Sequence, residues 1–132
     1  MQKYLDIVNK IHASPYKLTI VSSGGGTNAI SALLEVAGAS NTILESHIPY
    51  SKESMDTFLN KKPDHYCSLD TCLNMAANAY KKSKEVDSES KTKHLLGIAI
   101  TANLATTYEK KGDHKFFIVI QTYNSVSYTH LT

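Results

Sequence analysis

The spacing of apolar residues along the chain predicts four helices. Near the N-terminus three aliphatic residues recur at the helical interval: Leu5, Val8 and Ile11. This spacing predicts an amphipathic helix over residues 2–13, and similar patterns predict helices over residues 27–37, 51–59 and 68–84. Ser51 and Ser68 stand where N-cap residues are expected, and Gly38 stands where a C-cap glycine would end the second helix.

Apolar runs that are too short for helices predict the strands of one sheet. They lie at residues 18–21, 41–49, 94–101 and 115–122. Residues 85–93 are charged and rich in serine and predict an exposed loop, and residues 102–114 predict a polar connection. Helices that alternate with buried strands indicate the α/β class. Because no helix-length pattern separates the last two strands, we expect them to be antiparallel in a mixed central sheet.

Composition and charge narrow the possible partners. The length of 132 residues is that of one domain, and a formal charge of +2 without a basic cluster argues against nucleic acid as a ligand. The sequence contains neither a signal peptide nor a long apolar run, so we expect a cytoplasmic protein without a membrane partner. Cys67 and Cys72 lack a second pair at zinc spacing, which favours buried thiols over a disulfide or a metal site.

The stretch Lys17–Thr27, K-L-T-I-V-S-S-G-G-G-T, is the main candidate for a ligand site. A strand that breaks into glycines and enters a helix presents bare backbone N–H groups at the helix N-terminus. These groups and the helix dipole favour a phosphate or a carboxylate. An ordinary strand-to-helix turn is the alternative interpretation.

Four motifs together resemble the C-terminal domain of the competence-damage protein CinA. They are T-I-V-S-S-G-G-G-T, V-A-G-A-S at 36–40, I-P-Y-S at 48–51 and G-I-A-I-T at 97–101. Their order matches over nearly the whole chain. The resemblance implies a three-layer α/β/α sandwich, often oligomeric. Active members of that family hydrolyse the carboxamide of nicotinamide mononucleotide to the acid and ammonia without a cofactor.

The resemblance also assigns residues to a site. Ser23 falls on the nucleophilic serine of the family, and Lys52 is the lysine nearest to the position from which the family activates that serine. The expected ligand-binding residues are Ser22, Gly24, Gly25, Gly26, Thr27, Tyr50, Ser51 and Thr101. The ligand implied is a small-molecule nucleotide, and no metal is implied.

The sequence departs from the family pattern at three places, and these departures leave two functions open. Met55 occupies the lysine position, the family's Ser-Cys-Thr-Gly-Gly is replaced at 23–27, and its later glycine-rich loop is replaced at 102–106. A serine needs an adjacent base to be nucleophilic. The chain is therefore either an amidohydrolase, with His47 as a second candidate base, or a nucleotide-binding or regulatory domain without turnover. Lys52 directed toward Ser23 would favour the enzyme, and Lys52 directed toward solvent would favour the binding domain. A purely structural domain is a third, less favoured interpretation.

The last seven residues, V-S-Y-T-H-L-T, resemble the translation of a transposon-end adapter used in sequencing libraries. We therefore expect one domain over residues 1–125 and a non-native tail over residues 126–132. Such a tail is expected to pack on nothing.

Overall fold

Four α-helices and five strands are present in the part of the chain that the computed structural model describes, residues 2–103 and 115–131. The helices are α1 (Gln2–His12), α2 (Thr27–Glu35), α3 (Lys52–Leu59) and α4 (Leu69–Val86). The strands are β1 (Lys17–Ser23), β2 (Ile43–His47), β3 (Leu95–Asn103), β4 (Lys115–Gln121) and β5 (Val126–Leu131). Most of the predicted polar connection, residues 104–114, lies outside the described residues.

The strands form one mixed sheet in the order β2-β1-β3-β4-β5. β1 runs parallel to both of its neighbours, β2 and β3. β4 is antiparallel to β3, and β5 is antiparallel to β4. The predicted mixed sheet and the predicted antiparallel pairing of the strands at 94–101 and 115–122 are therefore confirmed.

Helices cover both faces of the sheet, which confirms the three-layer sandwich. One core cluster joins α3 and α4 to the sheet: Val21, Met55, Leu59, Cys72, Met75, Ala76, Ala79, Ala99 and Val119. The other joins α1 and α2 to the opposite face: Val8, Leu18, Ile20, Ile30, Leu33 and Ile100. α1, α3 and α4 bury the apolar side that their sequence periodicity predicted. α2 buries Ile30 and Leu33, whereas Ala29 and Leu34 on its predicted apolar side are exposed.

Some element ends differ from the sequence prediction. α2 ends at Glu35, and Gly38 adopts a left-handed φ of 101° at the start of a 3₁₀ turn over Ala39–Asn41. Gly38 is therefore not the C-cap of α2. A Cβ at Gly38 would lie 3.2 Å from Cβ of His12, so α1 packs closely on this position. α4 continues to Val86, beyond the predicted end.

The predicted caps and the predicted loop are largely present. Ser51 Oγ accepts a hydrogen bond from the Ser54 N–H at 3.1 Å, and Ser68 Oγ accepts one from the Thr71 N–H at 3.2 Å. After α4 the Asp87 carboxylate accepts hydrogen bonds within its own turn. The donors are the Glu89 N–H at 3.2 Å and the Ser90 N–H at 3.0 Å, with the Ser90 hydroxyl at 2.6 Å. The Ser90 bonds are the main reason why the pKa of Asp87 lies below its usual range.

Residues 126–131 do not lie free of the domain as expected. They form β5 along the edge of β4, so the expectation that they pack on nothing is wrong. All six of these residues are nevertheless exposed, and none belongs to either core cluster. That they derive from an adapter stays a prediction, and an independent gene sequence that contains the same codons would contradict it.

A buried histidine joins α1 to α2 and to the start of β2. His12 Nε2 donates to the Leu33 carbonyl at 2.9 Å. In the neutral ring Nδ1 then accepts from the Thr42 hydroxyl, 2.7 Å away. His12 and Thr42 are both buried, so this pair of hydrogen bonds is structural.

Deleting residues 126–132 should leave the domain folded, because the side chains of β5 are themselves exposed and none belongs to either core cluster. We expect the free energy of unfolding to change by less than about 1 kcal/mol, measured by urea denaturation. Deleting residues 115–132 is the comparison, since this also removes the buried Val119 and should abolish cooperative unfolding. Loss of cooperative unfolding in the 1–125 chain would contradict the prediction.

Replacing His12 by alanine should lower the free energy of unfolding by roughly 1–3 kcal/mol. The change leaves the Leu33 carbonyl and the buried Thr42 hydroxyl without their partner. Asn9→Ala, on the exposed side of the same helix, is the matched control. Equal effects of the two changes in urea denaturation would show that the His12 hydrogen bonds contribute nothing.

Candidate functional site

Ser23 and Thr101 lie opposite each other at the carboxyl ends of two adjacent parallel strands. Ser23 is the last residue of β1 and pairs with Thr101 on β3. Two residues earlier on each strand, Val21 and Ala99 belong to the α3/α4 core cluster. Because side chains alternate along a strand, Ser23 and Thr101 face the same side of the sheet. Their exposed fractions are 9% and 2%, so both side chains are buried at this edge of the sheet.

The glycine turn after β1 is shaped by its contact with β3. Gly24 and Gly26 have positive φ angles of 85° and 91°. A Cβ at Gly24 would lie 2.1 Å from the Ala102 carbonyl oxygen, and one at Gly26 would lie 2.7 Å from Cγ2 of Ile100. Any residue with a Cβ would therefore collide with β3 at both positions. The glycines therefore allow close approach of the turn to β3.

The same turn leads into α2 without a side-chain cap. Ser22, which alternation places on the α1/α2 side of the sheet, donates its hydroxyl hydrogen to the Gly25 carbonyl and holds the turn together. α2 begins at Thr27, and Gly26 at its N-cap has no side chain to accept from the first N–H groups. Gly24, Gly26 and Thr27 are exposed, so the first N–H groups of α2 have no side-chain cap, which is the arrangement that the sequence pattern predicted.

The strand order makes this edge of the sheet the expected ligand position. The chain leaves β1 through α2 to β2 on one side and returns through α3 and α4 to β3 on the other side. The carboxyl ends of β1 and β3 therefore form the topological switch point of the sheet. In open α/β sheets ligands bind in the crevice at such a point.

Tyr66 links α3 to this edge of the sheet and was not predicted as a site residue. Its backbone carbonyl accepts the Thr101 hydroxyl hydrogen at 3.2 Å. Its own hydroxyl donates to Oδ1 of Asp56 on α3 at 2.8 Å, and Nζ of Lys52 lies 5.8 Å from the centre of its ring. The hydrogen bond to Asp56 raises the pKa of the Tyr66 hydroxyl, and burial and the Asp56 charge act in the same direction.

The first turn of α3 directs Met55 into the core and Lys52 to the surface. Met55 is 1% exposed and packs in the α3/α4 cluster, so the position of the family lysine belongs to the core in this chain. Lys52, three residues earlier, is exposed and contacts Tyr66. By the criterion stated for Lys52, exposure favours the binding interpretation, and its contact with Tyr66 keeps the ammonium on the side of the sheet where Thr101 lies.

Ser51 and His47 line a separate groove, and Tyr50 is not among its lining residues. Tyr50 is 82% exposed, and Ser51 is occupied as the N-cap of α3. A groove of about 780 Å³ runs beside them; its lining residues are His47, Ile48, Pro49, Ser51, Glu53, Ser54, Thr57, Phe58 and Lys82. In the described residues His47 makes no hydrogen bond to Ser23. It packs on Phe58, and its Nε2 lies 3.6 Å from the Glu45 carboxylate.

Both cysteines are free thiols. Cys72 is buried, with Sγ 3.5 Å from the Ala99 carbonyl and 3.4 Å from the Phe117 carbonyl. Burial raises the pKa of the Cys72 thiol to about 12, which keeps it protonated at neutral pH. Cys67 is half-buried, and neither cysteine is in a disulfide. Residues 2–103 and 115–131 contain no group of three or more His, Cys, Asp or Glu side chains that could hold a metal ion.

No helix in the described ranges has the length and apolar character that a membrane crossing requires.

Replacing Gly24 by alanine should destabilise the domain by roughly 1–3 kcal/mol, because alanine is strained at this φ and its Cβ would collide with the β3 backbone. Gly25→Ala is the matched control one residue away, since the φ of Gly25 is not positive. Urea denaturation of the two variants measures the difference. A Gly24→Ala protein as stable as Gly25→Ala would show that the turn can move away from β3.

Solved structures of competence-damage proteins share this fold over nearly the whole chain. The competence/damage inducible protein CihA from Agrobacterium tumefaciens is 16% identical with a TM-score of 0.73, over 95% of this chain and 75% of that one. A competence-damaged protein (CinA) superfamily protein from Escherichia coli is 14% identical with a TM-score of 0.73, over 96% and 72%. The competence damage-inducible protein A (ComA) from Klebsiella pneumoniae subsp. pneumoniae is 14% identical with a TM-score of 0.73, over 98% and 80%.

No protein-family model matches the chain, and no curated protein matches it in sequence. The likeness to the solved structures is therefore a likeness of fold at low identity. It confirms the fold that the sequence motifs predicted. The chain has the α/β fold of the CinA superfamily structures.

Proposed function

We propose that this chain binds a nicotinamide nucleotide at the carboxyl ends of β1 and β3, and that Ser23 hydrolyses its carboxamide at a reduced rate. The observation that carries the proposal is the pairing of Ser23 with Thr101 beside the glycine turn. Two buried hydroxyls, an open helix N-terminus and the switch point of the sheet coincide at one place. The resemblance of the sequence motifs to nucleotide amidohydrolases supplies the substrate class.

Each part of the site suits a different part of the ligand. The uncapped N-terminus of α2 suits the phosphate, because its free N–H groups and its dipole favour negative charge. The hydroxyls of Ser23 and Thr101 suit the carboxamide, which offers both a donor and an acceptor. Lys52 adds a positive charge at the start of α3.

The proposed reaction is acyl transfer to a serine. The Ser23 oxygen attacks the carboxamide carbon, its proton passes to a base, and the C–N bond breaks as the leaving nitrogen is protonated to ammonia. Water then hydrolyses the acyl-enzyme to the carboxylic acid and regenerates the serine. We assign the base to Lys52 in its uncharged amine form, because an ammonium cannot accept a proton. General-base assistance is typically worth about 10²–10⁴ in rate, so an exposed Lys52 in place of the family lysine reduces turnover.

Binding without turnover is the second candidate function. The buried Met55 favours it, because the position from which the family activates the serine holds a thioether that cannot accept a proton. In that case Ser23 and Thr101 act only as hydrogen-bonding groups, and the domain is a nucleotide-binding or regulatory domain.

Ser23→Ala should separate these two functions. For the hydrolase, the change removes the nucleophile and abolishes ammonia release, while affinity for nicotinamide mononucleotide is retained. For the binding domain, there is no ammonia release to lose, and affinity falls by no more than one hydrogen bond, about 0.5–1.5 kcal/mol. Ammonia release and calorimetric affinity are measured on the same preparations.

Ser88→Ala, in the exposed loop after α4, is the matched control and should match the wild type in both assays. Ammonia release that survives in Ser23→Ala would remove Ser23 as the nucleophile. A wild-type protein that neither binds nor hydrolyses any pyridine nucleotide would contradict the ligand class itself.

A further inference from the structure

We propose that Tyr66 is a positioning residue that holds Lys52 and Thr101 in place around Ser23. This inference rests on the proposed function, because it gives Tyr66 a part in turnover at that site. Tyr66 lies in the segment between α3 and α4. From there it contacts α3 through its ring and hydroxyl, and β3 through its backbone carbonyl.

The contacts on α3 fix the side chain of Tyr66 at two points. Lys52 and Asp56 are four residues apart and therefore lie on one face of the helix. Asp56 accepts the Tyr66 hydroxyl at 2.8 Å, and the Lys52 ammonium lies 5.8 Å from the ring centre. An ammonium within about 6 Å of an aromatic ring centre is attracted by the ring electrons. The ring thus holds an otherwise flexible, exposed lysine near one position.

The contact on β3 fixes the direction of the Thr101 hydroxyl. Its hydrogen is committed to the Tyr66 carbonyl at 3.2 Å. The oxygen lone pairs of Thr101 are then available to accept a hydrogen bond at the site, from the Ser23 hydroxyl or from the N–H₂ group of a carboxamide. Thr101 is 2% exposed, so the hydroxyl has little freedom to turn elsewhere.

The two sets of contacts together connect the surface of α3 to the buried pair of hydroxyls. Met55 is directed into the core, so the first turn of α3 brings a cation toward this edge only through Lys52. Tyr66 is the residue that contacts both Lys52 and Thr101. Loss of its ring should therefore release the cation, whereas loss of its hydroxyl should loosen the ring without removing it.

Tyr66→Leu and Tyr66→Phe test these two roles. The phenylalanine ring still contacts Lys52 but cannot donate to Asp56, and leucine removes the aromatic contact altogether. We expect the leucine variant to lose at least about tenfold in ammonia release, as for other small misplacements of catalytic groups, and the phenylalanine variant to lose less. The fall should appear mainly in kcat, since the nucleotide itself does not need the ring. Tyr123→Leu, an exposed tyrosine on the loop between β4 and β5, is the matched control.

Nuclear magnetic resonance of the ligand-free protein supplies a readout that does not depend on activity. In the wild type, the ring current of Tyr66 should shift the Lys52 side-chain CH₂ signals upfield. The shift should persist in Tyr66→Phe and vanish in Tyr66→Leu. Lys52 signals without such a shift in the wild type would overturn the positioning role, whatever the activity.

The kinetic and spectroscopic results separate this inference from the proposed function. A lost Lys52 shift in Tyr66→Leu with unchanged ammonia release and affinity would overturn the role of Tyr66 and leave the proposed function standing. No nucleotide binding by the wild type, with the Lys52 shift intact, would overturn the proposed function and with it the role of Tyr66 in turnover. A parallel loss of the Lys52 shift and of kcat in Tyr66→Leu alone would support both.

Discussion

The close packing of α4 on β3 is the constraint on which the rest of the structure depends. A Cβ at Gly97 would lie 2.2 Å from the Tyr80 backbone nitrogen, so the helix backbone rests directly on the strand. Further along α4, the Ser83 hydroxyl lies 2.7 Å from the Leu96 carbonyl and 2.9 Å from the Thr19 hydroxyl on β1. α4 thereby fixes β1 and β3 relative to each other, and this relation places Ser23 beside Thr101.

The glycine turn packs on the same strand, β3, and this packing gives a structural reason for its glycines. From the sequence alone, three glycines suggested a backbone that approaches a ligand. Gly24 and Gly26 instead have a sufficient reason within the fold, since side chains there would collide with Ala102 and Ile100. The turn therefore does not by itself identify a ligand. A ligand site is indicated by the buried hydroxyls of Ser23 and Thr101 at the switch point of the sheet. The glycines only allow the turn to pass close to β3.

The elements could be predicted from the sequence because their signals are local, and the site could be predicted only in part. Periodicity and the caps Ser51 and Ser68 depend on residues a few positions apart. The contact between Thr101 and Tyr66 spans 35 residues and involves a backbone carbonyl, which no side-chain pattern can show. Tyr66 lies in a segment without periodicity, so only the structure reveals it. The edge strand β5 was not predicted because residues 126–132 were interpreted as a non-native tail, and its exposed side chains add nothing to the core clusters.

Whether the lysine on α3 is buried or exposed bears on the choice between hydrolysis and binding. A lysine at position 55 would lie within the α3/α4 core cluster, where an unpaired charge is costly, and methionine removes that cost together with the base. Lys52 keeps a cation at the same end of α3 but in water, where screening weakens its effect on a buried hydroxyl. The phosphate site proposed at the N-terminus of α2 needs no change in the protonation of Lys52. In the proposed reaction, proton transfer from Ser23 requires Lys52 as the uncharged amine, so hydrolysis sets a condition on Lys52 that binding does not.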